Sequence, residues 1–212
     1  MEKNQENFWD GFAEEYDKIY SGNTNLVMRA LNRVLRRNIY RRFDYTFAKI
    51  GEIEGREFLD VACGSGEYSI ELALRGAEHI TAIDISGKML DLCQAKASEN
   101  NVEDKLSYVH GSIYDCNSIA DVTIVMGLFD YIHDPLSVLR QMRKKTLDKL
   151  VISFPDVNNW RTPLRKKYFA NVGVDVFFYN QEDVRSLLVQ SYFDIEHFDK
   201  VGSLFCVVAS PN

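Results

Sequence analysis

The sequence predicts an α/β protein built on a doubly wound, mostly parallel seven-stranded sheet with helices on both faces. Three observations carry this reading. From Arg56 onward, short apolar β-type runs alternate with helical segments. A glycine turn, Cys63-Gly64-Ser65-Gly66, follows the first run. The last two runs stand too close together for a helix between them, which makes them an antiparallel hairpin.

The elements follow in order. Residues 8–20 (FWDGFAEEYDKIY) read as a short amphipathic helix rich in aromatics, and residues 24–42 as a second, with Val27, Leu31, Val34, Leu35 and Ile39 at three- and four-residue intervals. The strand runs are 57–62, 79–84, 105–110, 121–127 and 149–154, then 193–198 and 204–209. Between them, Ser86 caps a helix carrying Met89, Leu90, Cys93 and Ala97. Asp134-Pro135 places a cap and an N1 proline before Leu136, Leu139 and Met142. Asn180 with Asp183 makes a capping pair before Val184, Leu187 and Leu188. Right-handed crossovers between the first five strands then give a parallel sheet. Residues 1–212 are expected to form one domain, with 1–45 a helical cap. The 26-residue connection 155–180 is long for this architecture and is expected to be a lid-like insertion.

Composition narrows the function. The chain is 46% apolar and 26% charged, ordinary for a globular protein. Net charge is −6, with a sequence pI of about 5.3, which argues against nucleic acid as a partner. No apolar run approaches the roughly 18–20 residues that span a bilayer, and no membrane partner is expected. The polar, acidic start lacks the apolar core of a signal peptide. Cys63, Cys93, Cys116 and Cys206 are scattered without a CxxC pair, and the four histidines are scattered too. That pattern predicts reduced thiols in a cytoplasmic protein and no metal site. The sequence does not indicate an oligomeric state.

The segment FLDVACGSGEYSIELAL (58–74) is the most informative. Its glycines let the backbone take positive φ and approach a ligand, while free N–H groups at the following helix start face the sheet edge. Eighteen residues beyond Gly66 the second run ends on Asp84, the spacing at which an acid accepts hydrogen bonds from ribose hydroxyls. A dinucleotide fingerprint would need glycine at position 69, where Ser69 stands, and Asp60 would lie close to a pyrophosphate. An acid suits a ligand presenting an ammonium group, which points to S-adenosylmethionine.

LDVACGSG resembles the first motif of class I S-adenosylmethionine-dependent methyltransferases, with Ala62 where many relatives have glycine. AIDIS (82–86), HGSIYD (110–115) and DVTIVMGLFDYIHDP (121–135) resemble later motifs, and the resemblance covers roughly residues 55–210. It implies the strand order 3-2-1-4-5-7-6 with strand 7 antiparallel. It also implies that Asp60, Ala62, Cys63, Gly64 and Gly66 hold the methionine end, Asp84 the ribose, and Ile85, Ser112 and Ile113 the adenine. Met126 would lie beside the cofactor, and Tyr16, followed by Asp17, would cover it.

Methyl transfer is an in-line displacement in which the protein chiefly aligns and desolvates the nucleophile. Acceptor-side candidates are Phe129, Tyr131, Trp160 and Arg161, with Asp130 the candidate catalytic group and His133 a solvent-facing one. The patterns of DNA amino-methylating and cytosine-C5 enzymes are absent, so a small-molecule acceptor is expected. Six arginines (Arg29, Arg33, Arg36, Arg37, Arg41, Arg42) fall between Ser21 and Phe43, where no acid occurs. Arg29, Arg33, Arg37 and Arg41 make one four-residue-spaced stripe opposite the apolar one, which is either a solvated face or, combined with the basic 155–180 loop, the border of a pocket for an anionic acceptor. Two alternatives stand beside the methyltransferase: a cofactor-binding protein without turnover, and an NAD(P)-dependent oxidoreductase.

Overall fold

The computed structural model describes residues 5–13, 37–160 and 162–212. Seven helices are described: α1 (residues 5–13), α2 (Arg37–Lys49), α3 (Glu67–Leu74), α4 (Gly87–Glu99), α5 (Pro135–Arg143), α6 (Thr162–Asn171) and α7 (Gln181–Gln190). They surround strands β1 (Glu57–Val61), β2 (His79–Asp84), β3 (Leu106–His110), β4 (Ala120–Val125), β5 (Thr146–Pro155), β6 (Phe193–Val201) and β7 (Leu204–Pro211).

The sheet runs β3-β2-β1-β4-β5-β7-β6, with β7 antiparallel to both its neighbours. This is the expected order. Strands buried on both faces read as continuous apolar runs, and β2 shows it: only His79 of its six residues escapes full burial. Alternation sends Phe58, Val122 and Ile124 to one apolar layer with Ile70, Leu72 and Leu90. Leu59, Val61, Val125 and Ile152 face the other, with Leu139, Met142 and Leu188.

The caps form as the sequence predicts. Ser86 Oγ accepts from Met89 N at 3.2 Å, Asp134 Oδ1 from Ser137 N at 3.1 Å, and Asn180 and Asp183 form a reciprocal box. Several boundaries differ from the expected ones. The helix expected over 24–42 runs on to Lys49, because Arg42, Thr46 and Ile50 continue a buried stripe at four-residue steps; its residues 24–36 lie outside the described ones. β5 begins three residues early, at Thr146. β6 runs to Val201, leaving only Gly202 and Ser203 in the turn where five residues were expected. As an edge strand it stays largely exposed and carries polar Asp199 and Lys200, which hid its length.

Registers align the strand ends: Val61 pairs with Ile83 and Val125, and Val125 with Ile152. Between β1 and β4 the winding reverses direction, and a doubly wound sheet opens a crevice outside its strand ends at such a point.

Candidate functional site

The crevice is a cavity of about 830 Å³, at the upper end of the roughly 300–1,000 Å³ typical of small-molecule sites. Its floor is the turn after β1. Ala62, Gly64 and Gly66 all hold left-handed backbone, with φ of 59°, 55° and 85°. At Ala62 this costs about 1 kcal/mol that glycine would not incur. Ala62 and Gly64 line the cavity. Gly66 lies beneath, where a Cβ would fall on the Cys93 Sγ of α4.

Asp84, at the end of β2, fastens the turn. Its Oδ2 accepts from Gly64 N at 2.8 Å and its Oδ1 from Ser86 N at 2.9 Å. Burial raises its pKa, and these backbone bonds partly offset the rise. A carboxylate has room for about four hydrogen bonds, so Asp84, which lines the cavity, retains acceptor capacity toward a diol.

Asp60 does not reach the cavity. Pointing to the α3 side of β1, it is 1% exposed and accepts from Ser69 Oγ at 2.7 Å. Burial pushes its pKa up to about 7, with the Asp84 charge adding to the rise and the Ser69 bond opposing it. Ser69, which breaks the dinucleotide fingerprint, thus anchors the acid under the turn. Cys63 is buried too; a hydrogen bond with Cys93 and burial raise its thiol, keeping it protonated.

The wall beyond β2 holds Ile85, Ser112 and Ile113. Ser112 donates to Asp115 Oδ2 from both its N–H and its Oγ at 2.8 Å, which fixes the loop and holds the Asp115 carboxyl low. At the end of β4, Met126, Gly127, Asp130 and Tyr131 line the far side. Asp130 is 6% exposed, and its Oδ2 takes the Arg165 guanidinium of α6 at 2.6 Å. Burial raises the Asp130 carboxyl, while Arg165 and Arg42 pull it down. Arg165 also stands near the Phe169 and Phe178 rings, at 5.7 and 5.6 Å.

The roof is α1. Gln5 Nε2 donates to Tyr131 O at 2.9 Å, and Trp9 meets the Tyr131 ring edge-on at 5.3 Å. Asp10 Oδ1 accepts from Ser86 Oγ at 2.5 Å at the start of α4, where a helix favours negative charge. Gln5 and Trp9 border the cavity.

Of the residues singled out from the sequence, Ala62, Gly64, Asp84, Ile85, Ser112, Ile113, Met126, Asp130 and Tyr131 therefore converge on one cavity, and His133 joins them at its exposed rim. Asp60, Cys63 and Gly66 form the layer beneath. Phe129 is fully buried, its ring 4.7 Å from Phe154, because the chain turns it into the core while its neighbour Asp130 faces the cavity. Trp160 is 73% exposed and does not line the cavity. Tyr16 and Arg161 lie outside the described residues, as do Arg29, Arg33 and Arg36.

Arg42 was missed. One of six arginines between Ser21 and Phe43, but outside their four-residue-spaced stripe, it is 9% exposed and lines the cavity next to Gly127. The signal lay in its four-residue spacing from Thr46 and Ile50, both fully buried. Arg165 was not singled out either, because nothing local in the sequence places it against Asp130, 35 residues away.

Residues 58–147 match a family described as methyltransferase domain. The ubiquinone biosynthesis O-methyltransferase of Vibrio vulnificus is 32% identical over 103 residues, 47% of this chain and 43% of that one. Its counterpart in Aeromonas salmonicida is 35% identical over 103 residues, covering 47% and 42%. The chain thus spans less than half the length of these relatives in the matched stretch. Among solved structures, magnesium protoporphyrin IX methyltransferase from Synechocystis PCC 6803, with bound SAH, superposes with a TM-score of 0.79 at 19% identity, covering 100% of this chain and 99% of that one. An S-adenosylmethionine-dependent methyltransferase from Mesorhizobium loti gives 0.68 at 16% identity, over 80% and 97%.

Proposed function

Because the chain carries a methyltransferase domain on the class I S-adenosylmethionine-dependent fold, we propose that it methylates an oxygen of a small acidic molecule. The observation that carries the cofactor half is the Asp84 carboxylate, tied by the Gly64 N–H to the glycine turn at the cavity floor and by the Ser86 N–H to the start of α4. Bound there, S-adenosylmethionine supplies a sulfonium methyl and its own leaving group. Asp84 receives the ribose hydroxyls, Ile85, Ser112 and Ile113 border the adenine, and Ala62 with Gly64 leaves room for the methionine end. Asp60 acts from below, through the turn it supports. Met126 lies alongside. Helix α1 and the expected lid, 155–180, exclude water from the reacting end.

The acceptor half is supported by Arg42 and Arg165, which border the cavity beside Asp130. Two guanidiniums against one buried carboxylate favour an anionic group there. An acceptor oxygen that is already anionic needs no general base, which agrees with an Asp130 engaged by Arg165. Asp130 is then a positioning residue, and Tyr131 and Trp9 offer aromatic faces to the acceptor. The four cysteines, all buried and reduced, agree with a reducing compartment such as the cytoplasm.

Calorimetric titration with S-adenosylhomocysteine tests the reading, beside an Asp84→Ala variant. Micromolar binding that the substitution weakens by about tenfold or more, about 1.4 kcal/mol, is expected for losing hydrogen bonds to a charged group. No binding by the folded protein refutes it. Binding without turnover of any aromatic or aliphatic acid would favour a non-enzymatic role.

A further inference from the structure

Neither apolar layer of the sheet draws a residue from α1. The helix lies across the mouth of the cavity and is held along two edges. On the acceptor side, Gln5 bonds Tyr131 O, Trp9 meets the Tyr131 ring, and Phe8 packs on Phe169 with centroids 5.9 Å apart. On the other side, two acids one helical turn apart, Glu6 and Asp10, face the segment 84–86 and its neighbours. Glu6 Oε1 stands 3.7 Å from His110 Nε2, which lies 3.0 Å from Ile85 O. Asp10 Oδ1 meets the fully buried Ser86 Oγ at 2.5 Å and Lys88 N at 3.4 Å.

Ser86 is where this edge meets the cavity floor. Its N–H donates to Asp84 Oδ1 at 2.9 Å, and its Oγ accepts from Met89 N at 3.2 Å. The hydroxyl has one proton to donate and a carboxylate only accepts, so that proton goes to Asp10. One residue thereby joins α1, the start of α4 and the carboxylate that receives the ribose. We propose that Asp10 is a positioning residue for the cofactor, an inference that rests on S-adenosylmethionine occupying the cavity. By holding the Ser86 hydroxyl it seats α1 over the bound cofactor, and it steadies the residue whose N–H fixes Asp84. Asp10 itself does not line the cavity, so it acts through Ser86 and through the Gln5 and Trp9 of its own helix, which do. Without this bond α1 keeps its acceptor-side contacts and the longer approach of Glu6 to His110. The cofactor then loses part of its cover and leaves faster.

The test pairs S-adenosylhomocysteine affinity with the accessibility of Trp9. In a Trp160→Phe background Trp9 is the remaining tryptophan, and the bound ligand should shield it from acrylamide quenching. Asp10→Ala should abolish that shielding and weaken binding by about tenfold, through faster dissociation, with thermal unfolding of the free protein unchanged. Asp10→Asn keeps an oxygen acceptor for the Ser86 hydroxyl and should recover affinity to within about threefold of the parent. Ser86→Ala keeps the N–H to Asp84 but removes the other half of the bond. Combined with Asp10→Ala, it should bind within about twofold of the weaker single variant, because both delete one interaction. A role in folding alone would lower thermal stability and leave the shielding intact. Parental affinity and shielding in Asp10→Ala, an asparagine variant as weak as the alanine one, or additive losses in the double variant each overturn the inference alone. A parent that binds no S-adenosylhomocysteine overturns the cofactor reading as well.

Discussion

Replacing Gly66 with alanine probes the turn at the cavity floor through two separable costs. The first is conformational: at φ 85° and ψ 18°, a side chain costs about 1–2 kcal/mol, offset by up to ~1 kcal/mol from a stiffer unfolded chain. The second is steric. The new Cβ would fall on the Cys93 Sγ and lie 3.0 Å from Cys93 Cβ and 3.3 Å from its Cα. No flexible tip can swing away, so α4 or the turn must move, at about 1–3 kcal/mol. Together the substitution should destabilise by about 2–4 kcal/mol, lowering Tm by roughly 10 °C for a chain of this size. Cys93→Ala alone removes a fully buried thiol and should cost about 1 kcal/mol. The double variant keeps the strained φ but loses the sulfur, and should be about 1–2 kcal/mol more stable than the sum of the singles. Urea unfolding at constant m-value measures all four corners of the cycle. Additivity within about 0.5 kcal/mol would refute the contact between Cys93 and this position, and a Gly66→Ala cost below about 1 kcal/mol would refute the strain.

Other variants test the charges around the cavity. Since the buried Asp60 carboxyl sits at about 7 against ~3.9 when unfolded, the folded chain binds more protons between those values. Its stability therefore falls as pH rises from about 4 to 7 and is level above. Asp60→Asn should remove that slope, gaining at least about 1 kcal/mol on the parent between pH 5 and pH 8; an equal difference at both pH values counts against a raised Asp60. Arg165→Met leaves Asp130 buried without its cation and should cost about 3–5 kcal/mol in thermal or urea unfolding. Adding Asp130→Asn should restore most of that stability, yet KM for an acidic acceptor should stay raised about tenfold or more with S-adenosylhomocysteine affinity unchanged. A double variant with the parent KM would show that Arg165 does not meet the acceptor.

The sheet was legible because burial on both faces gives short, apolar-rich and mostly buried runs at 57–61 and 79–84, and because Ser86, Asp134 and Asn180 are local signals whose partners lie three residues away. The cavity floor was legible for the same reason: Gly64, Gly66 and Asp84 stand at fixed offsets from strand ends. What was hidden depends on direction in space. Phe129 and Asp130 are neighbours, and nothing local says which one turns inward. Arg42 looked like its solvated companions until β4 ended beneath it. On α6, apolar and basic residues interleave, so periodicity reveals that Leu164 and Tyr168 share a side without revealing that this side faces away from the sheet. No described helix is long and apolar enough to cross a bilayer.

Arg42 and Gly127 also bear on how the acceptor end can evolve or be redesigned. A Cβ on Gly127, at φ 93°, would stand 2.6 Å from Arg42 Nη1, although 84 residues separate the two positions. Enlarging residue 127 would push the tip of the Arg42 side chain aside before it meets any ligand. Shortening residue 42 first opens that corner and removes a cation in the same stroke. Reshaping this wall is therefore coupled: a bulkier residue 127 relocates the guanidinium and a shorter residue 42 removes it, so changes in pocket shape there are tied to where the cation sits.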